Sequence, residues 1–312
     1  MDDLTIRPAV PADAAEICDL LNAVDLIEIG RAETDLHSVR DDLSHPEAGL
    51  AENSWLAHRG DRLVGYGLMW DDSGADRIDM DSYILPEHQD AGERLLELME
   101  AQAVRRAAAN GADRAVVHLH LNVRPTLDVS LLTGRGWRTV RKYHVLTRAI
   151  TGAGDPVPSP PEGIALRDCR EEADRRAAHA LVEETFAEHF DHQPSTYQKW
   201  LDDLGAHIDW SRVWIASAAG SGDVAILLTR NDRESMGWIS ALGVRKSERG
   251  RGIAGYLLRH AFGVYAGYGR DTIGLGVDTE NVTGALRLYE AHGMRTHFAV
   301  DTWEVTLPVS GG

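Results

Sequence analysis

Apolar positions along the chain switch between a period of two and a period near 3.6, and the order of the switches repeats. In the second half, Ile164 to Arg167 alternates as a short strand, Glu171 to Phe186 reads as a helix, and Thr196 to Leu204 carries Trp200, Leu201 and Leu204 at helical spacing. Val213 to Ala218 and Val224 to Leu228 read as strands joined by the turn "AGSGD", and Trp238 to Val244 is a third strand. Ile253, Leu257, Leu258, Ala261, Phe262 and Tyr265 then recur every three to four positions, which predicts a helix with one face on a sheet. Ile273 to Val277 is the next strand. A last helix spans roughly Val282 to Ala291, with Gly293 placed to close it in a left-handed conformation. The pattern predicts an α/β fold in which hairpins feed a mixed sheet.

The first half follows the same order. "LTIRPAVPADAAEICDLLNAV" parallels "IALRDCREEADRRAAHALVEETF", and "SWLAHRGDRLVGYGLM" parallels "VWIASAAGSGDVAILL". The offset is nearly constant: Trp214 follows Trp55 by 159 positions, Arg249 follows Gln89 by 160, and Gly293 follows Gly136 by 157. Between the halves, "TGAGDPVPSPPEG" is dense in Pro and Gly and lacks apolar periodicity. A tandem repeat is expected, with domains at 1–150 and 164–312 and a linker at 151–163.

Composition narrows the partners. At 312 residues and 43% hydrophobic content, the chain has enough apolar side chains to fill two cores. No run approaches the roughly 18 apolar residues of a membrane span, and "MDDLTIRPAV" has neither a basic start nor an apolar core of a signal, so the expected compartment is the cytoplasm. A formal charge of −17 argues against nucleic acid or an anionic membrane and favours cationic small molecules. Cys18 and Cys169 are too few and too far apart for a disulfide framework or a metal site, and no metal is expected.

The stretch "SERGRGIAGYLLRHAF" contains Gly250-x-Gly252-x-x-Gly255, the spacing of a dinucleotide fingerprint. Its context differs from that of a nucleotide fold. Five polar residues, Arg245 to Arg249, separate Val244 from Gly250, and only 57 residues follow Gly255, too few for the remaining strands. The glycines still have a physical use: they let a phosphate approach the backbone at a helix start, with Arg249 and Arg251 supplying positive charge. An extended ligand with its phosphates at one end would suit such a cradle.

"LGVRKSERGRGIAGYLL" resembles the acetyl-CoA signature of the GCN5-related N-acetyltransferases, R/Q-x-x-G-x-G/A, with Arg249, Gly252 and Ala254 in the defining positions. The resemblance continues through "VDTENVTGALRLYEAHGM" and covers most of residues 164–307. It implies two tandem copies of a mixed, mostly antiparallel sheet flanked by helices, acetyl-CoA as acyl donor and a small-molecule amine as acceptor, in a monomer or homodimer. It implies that Leu242, Gly243 and Val244 pair with the pantetheine arm, and that Arg249, Gly250, Arg251, Gly252, Ile253 and Ala254 hold the pyrophosphate. By the same resemblance Asn281 contacts the pantetheine side and Tyr289 protonates the departing thiolate. The chemistry is compatible, because a tyrosine with a pKa of about 10 carries its proton at neutral pH.

The general base is open between several residues. Glu188, His189 and His192 in "FAEHFDHQP" lie where this family binds its acceptor, Glu234 precedes the third strand, and Ser240 stands where some members place a His or Glu. Water relayed through Ser240 is a further route. In the first half, "HQDAGERLL" keeps Gln89 and Gly92 but puts Arg94 at the Ala254 position, and Leu132 and Arg124 replace Tyr289 and Asn281. That half is expected to be non-catalytic, with His118 and His120 structural. Tandem length and the closing "FAVDTWEVTL" resemble the mycothiol synthase group, so its acceptor, cysteinyl-glucosaminyl-inositol, stands as one alternative to an unspecified amine. A non-catalytic acyl-CoA-binding module is the other.

Overall fold

The computed structural model describes residues 4–45, 48–71, 73–190, 192–205, 208–231, 236–280 and 284–309. The chain forms two compact units. Unit 1 comprises Met1–Tyr143 with Phe298–Gly312, and unit 2 comprises His144–His297. The division is therefore not a single cut at 151–163. The last residues of the chain belong with unit 1, and the end of the first half belongs with unit 2.

Unit 1 runs β1 (Leu4–Arg7), α1 (Ala14–Glu28), α2 (Leu36–Ser44), the one-turn α3 (Leu50–Asn53), β2 (Ser54–Arg59), β3 (Arg62–Trp70), β4 (Arg77–Ile84), α4 (Gln89–Ala109), β5 (Arg114–Asn122), α5 (Val129–Gly134) and the start of β6 (Arg138–Ala149). β1 to β4 are antiparallel neighbours and β4 to β5 is parallel. The final strand, β12 (Arg295–Pro308), lies antiparallel to β5 in the register Val300 to Asn122 through Pro308 to Arg114. Long-range strand pairing, not the local pattern, decides which unit completes its sheet with which residues.

Unit 2 continues with β7 (Ile164–Asp168), α6 (Glu172–Phe186), α7 (Tyr197–Leu204), β8 (Val213–Ala218), β9 (Gly222–Arg230), β10 (Met236–Val244), α8 (Ile253–Gly267), β11 (Thr272–Asp278) and α9 (Ala285–Ala291). Its sheet runs β6-β11-β10-β9-β8-β7. α8 buries Ile253, Tyr256, Leu257, Leu258, Ala261, Phe262 and Tyr265, the face that its sequence period marks. Each of the Ile, Leu and Phe side chains among them contributes on the order of 1.5–3 kcal/mol relative to an exposed one. Leu146 and Ile150 are buried in the same core. Arg148 lies over the Phe262 ring at 4.5 Å and pairs with Asp155 at 2.5 Å. The Pro/Gly-rich segment is held against this unit: a β-carbon on Gly263 would stand 2.7 Å from the Val157 backbone. Gly293 has φ 84°, the left-handed helix end its position predicts.

Candidate active site

β10 and β11 run parallel but pair only from Met236–Ile239 to Thr272–Leu275. On its other edge β10 pairs with β9, and the register slips between Ile239 and Ala241, so Ser240 is an extra residue with no cross-strand partner. A bulge bends a strand and increases its twist. Past it, β10 runs on to Val244 and β11 to Asp278 without pairing to each other. Apart from Val244 O, the β11-facing backbone groups of the stretch Leu242 to Val244 are thus left to an extended ligand or to water. Gly243 has to be glycine, because a β-carbon there would collide with the side chain of Thr185 on α6.

A short 3-10 turn, Lys246–Glu248, carries the chain from β10 toward α8. Gly250 and Gly252 both adopt left-handed backbone, with φ 78° and 79°, and a β-carbon on either would meet open space. Gly252 is the N-cap of α8 and gives no side-chain cap. The first helical amide to find a carbonyl is that of Tyr256, 3.0 Å from Gly252 O. The amides of Ile253, Ala254 and Gly255 stand at the helix start with its partial positive charge. The arrangement suits an anion approached by backbone.

Both arginines are exposed, but each already has a partner within the chain. Arg249 donates from Nε to Val244 O at 3.0 Å, tying the turn back to the strand. Arg251 is paired with Glu248, whose side chain is 9% exposed. Glu248 escaped the sequence reading because a Glu in a polar loop gives no sign of burial.

Tyr289 sits on α9, 8% exposed, against the unit 2 core. Its hydroxyl makes no hydrogen bond to any described residue, and burial alone pushes its pKa up to about 12. It holds its proton throughout the neutral range. Asn281, the expected amide partner on the loop before α9, and Glu234, one of the candidate bases, lie outside the described residues.

The other acceptor-side candidates separate. Glu188 is an exposed partner of Lys246 at 2.5 Å. His189 packs on Phe186 with ring centroids 4.4 Å apart, and burial lowers its pKa while Asp278 opposes the shift. His192 turns to Glu183, 3.4 Å away, beside His179, whose Nε2 lies 3.0 Å from Ser195 O. Ser240 occupies the bulge, so its place in the sequence marks a bend in the strand. Among the described residues no cluster of His, Cys, Asp or Glu has the arrangement of a metal site.

Unit 1 offers the corresponding region in a different state. β4 pairs with β3 from Trp70–Asp79 to Gly65–Ile84 without a slip, so the bulge is missing. A β-carbon on Gly92 would lie 2.8 Å from Leu127 and 3.3 Å from Ile84. The loop bearing Leu127 is pinned from two sides. Gln89 donates to Thr126 O at 2.9 Å and accepts from Asp128 N at 2.7 Å, and Glu28 accepts from Thr126 N at 2.6 Å and from Asn122 at 2.5 Å. Leu132 is fully buried. His118 reaches Glu304 at 3.0 Å and His120 lies 3.7 Å from Asp79, as members of ion-pair networks.

Residues 175–294 match the acetyltransferase (GNAT) family. The mycothiol acetyltransferase of Streptomyces coelicolor is 28% identical over 313 residues, covering 95% of this chain and 96% of that protein. A GCN5-related N-acetyltransferase from Sphaerobacter thermophilus superimposes with a TM-score of 0.84 at 26% identity, over 99% of this chain and 97% of the other. A tandem GNAT protein from the clavulanic acid biosynthesis pathway shares the fold, with a TM-score of 0.70 at 15% identity over 99% of this chain and all of its own. No described helix is long and apolar enough to cross a membrane. With the split strands, the glycine cradle and the full-length likeness taken together, the chain resembles the GNAT acetyltransferases: that family matches residues 175–294, and the fold of a tandem GNAT protein is shared along nearly the whole chain.

Proposed function

We propose that the chain transfers an acetyl group from acetyl-CoA to the primary amine of a small molecule, and that the reaction takes place in unit 2. The observation that carries this reading is the open Gly250–Gly252 cradle beside the bulged end of β10, against an unbulged β4 and a filled Gly92 site in unit 1, although β4 and β5 part after four pairs as β10 and β11 do. The residues present fit the donor. The unpaired edge of Leu242 to Val244 would accept the amide-bearing arm as a further strand, and the α8 start would hold the pyrophosphate. When bound, acetyl-CoA supplies the activated acyl carbon and a thiolate leaving group.

The chain's own groups then do three things. Backbone amides of β10 beyond the bulge orient the thioester and can polarise its carbonyl. Tyr289 keeps a proton at its hydroxyl and delivers it to the sulfur as the acyl group leaves. The acceptor amine must lose its proton before attack. His189, whose pKa burial lowers, is one route for that proton, and a water relayed through Ser240 would be another.

An amine panel with CoA thiol release as readout tests the proposal. Turnover with at least one small amine supports it, and acetyl-CoA binding without thiol release for any acceptor would leave only an acyl-CoA-binding role for unit 2. Cysteinyl-glucosaminyl-inositol belongs in the panel, because the Streptomyces coelicolor relative is a mycothiol acetyltransferase that spans nearly the whole chain.

A further inference from the structure

Unit 1 carries a group of polar and aromatic side chains that acyl transfer leaves unused. They lie on the sheet face opposite α4. β-Carbons on Gly65 and Gly67 would meet Leu95 and Met99 of α4, so the alternating residues of β3, Tyr66 and Trp70, point the other way. The register places Tyr83 opposite Tyr66, Asp81 opposite Leu68 and Asp79 opposite Trp70, on the same face.

The side chains there are close and poorly compensated. Tyr66 and Tyr83 stack with ring centroids 6.4 Å apart and an interplanar angle of 13°. Trp70 donates from Nε1 to Asp81 Oδ2 at 3.1 Å and meets the edge of His45 at 5.8 Å. That is the one hydrogen bond to the Asp81 carboxyl among the described residues. Burial raises the pKa of this carboxyl. Tyr66 is only 4% exposed, yet its hydroxyl bonds to no described residue, and the charges nearest to it are Asp81 and Asp42. The Tyr83 hydroxyl also bonds to no described residue and feels Asp81, Asp25 and Asp42.

The basic side chains near this face turn mainly to other carboxylates, with His120 also acting on Asp81 from a distance. Arg77 bonds Asp79 at 2.6 Å, His120 lies 3.7 Å from that same carboxylate, and His118 reaches Glu304. Asp25 is held by the Glu33 amide and the Thr34 hydroxyl, with no basic partner among the described residues. A half-buried carboxyl with one hydrogen bond thus stands beside the buried Tyr66 and half-buried Tyr83, whose hydroxyls bond to no described residue, so a donor group on a ligand has acceptors to meet. The complement is a positive group that donates hydrogen bonds at one end and is apolar along its length. Its N–H groups would satisfy Asp81 and Tyr66, and its methylenes would lie along aromatic faces.

We propose that unit 1 contains a binding site for a small organic cation of the alkylammonium class, formed by Asp81, Tyr66, Tyr83 and Trp70. The proposal does not rest on acyl transfer in unit 2. Calorimetry on the full chain, with butylammonium chloride as probe and 1-butanol as its neutral counterpart at matched ionic strength, tests it. Saturable binding of butylammonium alone is expected. Asp81→Asn should weaken it about tenfold or more, as for loss of a charge-assisted hydrogen bond, and Tyr66→Phe should weaken it by a smaller factor. The circular dichroism spectrum and urea midpoint of each variant, measured alongside, should be unchanged and so show that unit 1 is folded. Absence of saturable butylammonium binding, equal binding of butanol, or wild-type affinity in folded Asp81→Asn overturns the assignment.

Discussion

Leu127 fills the space in front of Gly92 in unit 1, its Cδ1 lying 2.8 Å from where a β-carbon on Gly92 would be, whereas in unit 2 nothing described stands within 4 Å of a β-carbon on Gly252. The same substitution should therefore do opposite things at the two glycines. Gly92→Val should overpack Leu127 and Ile84 and cost about 1–3 kcal/mol of stability, with acetyl-CoA affinity retained. Gly252→Val should cost about 1–2 kcal/mol for its left-handed backbone and weaken acetyl-CoA binding severely. Titration should find one productive acetyl-CoA per chain, and Arg94→Ala should leave turnover unchanged. Two kinetically competent sites per chain would place part of the activity in unit 1.

Tyr289→Phe should bind acetyl-CoA almost normally and lose on the order of a hundredfold in kcat, as for removal of a general acid. Because its hydroxyl has no hydrogen-bond partner among the described residues, the substitution should leave the melting temperature unchanged or slightly raised. The pH dependence follows from the same burial. The folded-state pKa of about 12 lies above the unfolded value near 10, so the neutral phenol's contribution to stability is complete below pH 10. It is lost as pH rises from about 10 through 12. Alkaline unfolding should thus be shallower in Tyr289→Phe. A fall in kcat centred near pH 8 that disappears in this variant would contradict a tyrosine buried as described.

Much of unit 2 was legible because each element keeps one period long enough to count. The face of α8 from Ile253 to Tyr265 and the helix end at Gly293 were both readable for that reason. The bulge was not. Ser240 differs from its neighbours only in having no partner opposite, which is a property of the pair β9–β10 and not of either strand's sequence. Sequence spacing also placed Arg249 and Arg251 at a phosphate, but it could not show that one turns back to Val244 O and the other to Glu248. In unit 1 the replacement of Tyr289 by Leu132 was readable, whereas the Leu127 contact and the Glu28 clasp depend on residues distant in sequence.

The Glu248–Arg251 pair makes a separate prediction. Removing Arg251 alone leaves a carboxylate buried without its cation, so Arg251→Ala should lower stability as well as acetyl-CoA affinity. Glu248→Gln removes the competitor for the guanidinium. Acetyl-CoA affinity should rise in Glu248→Gln, and the gain should vanish when Arg251→Ala is added. A double-mutant cycle at low and high salt measures it. Additive effects of the two changes would mean that Arg251 does not turn to the phosphates on binding.

The exchange of terminal segments between the units predicts how the chain can be shortened. A fragment of residues 164–312 removes Leu146 and Ile150, which are 0% and 2% exposed in the unit 2 core, and Arg148, which lies over Phe262. It also leaves Gly263 uncovered where Val157 packs. The two aliphatic side chains alone are worth about 1.5–3 kcal/mol each, a large part of the 5–15 kcal/mol typical of a domain. A fragment of residues 144–312 restores all of these contacts to unit 2. Urea titration followed by tryptophan fluorescence should give a cooperative transition for the longer fragment and a midpoint shifted strongly downward, or no transition, for the shorter one. Equal midpoints for the two would show that the segment 144–163 adds nothing to the unit 2 core.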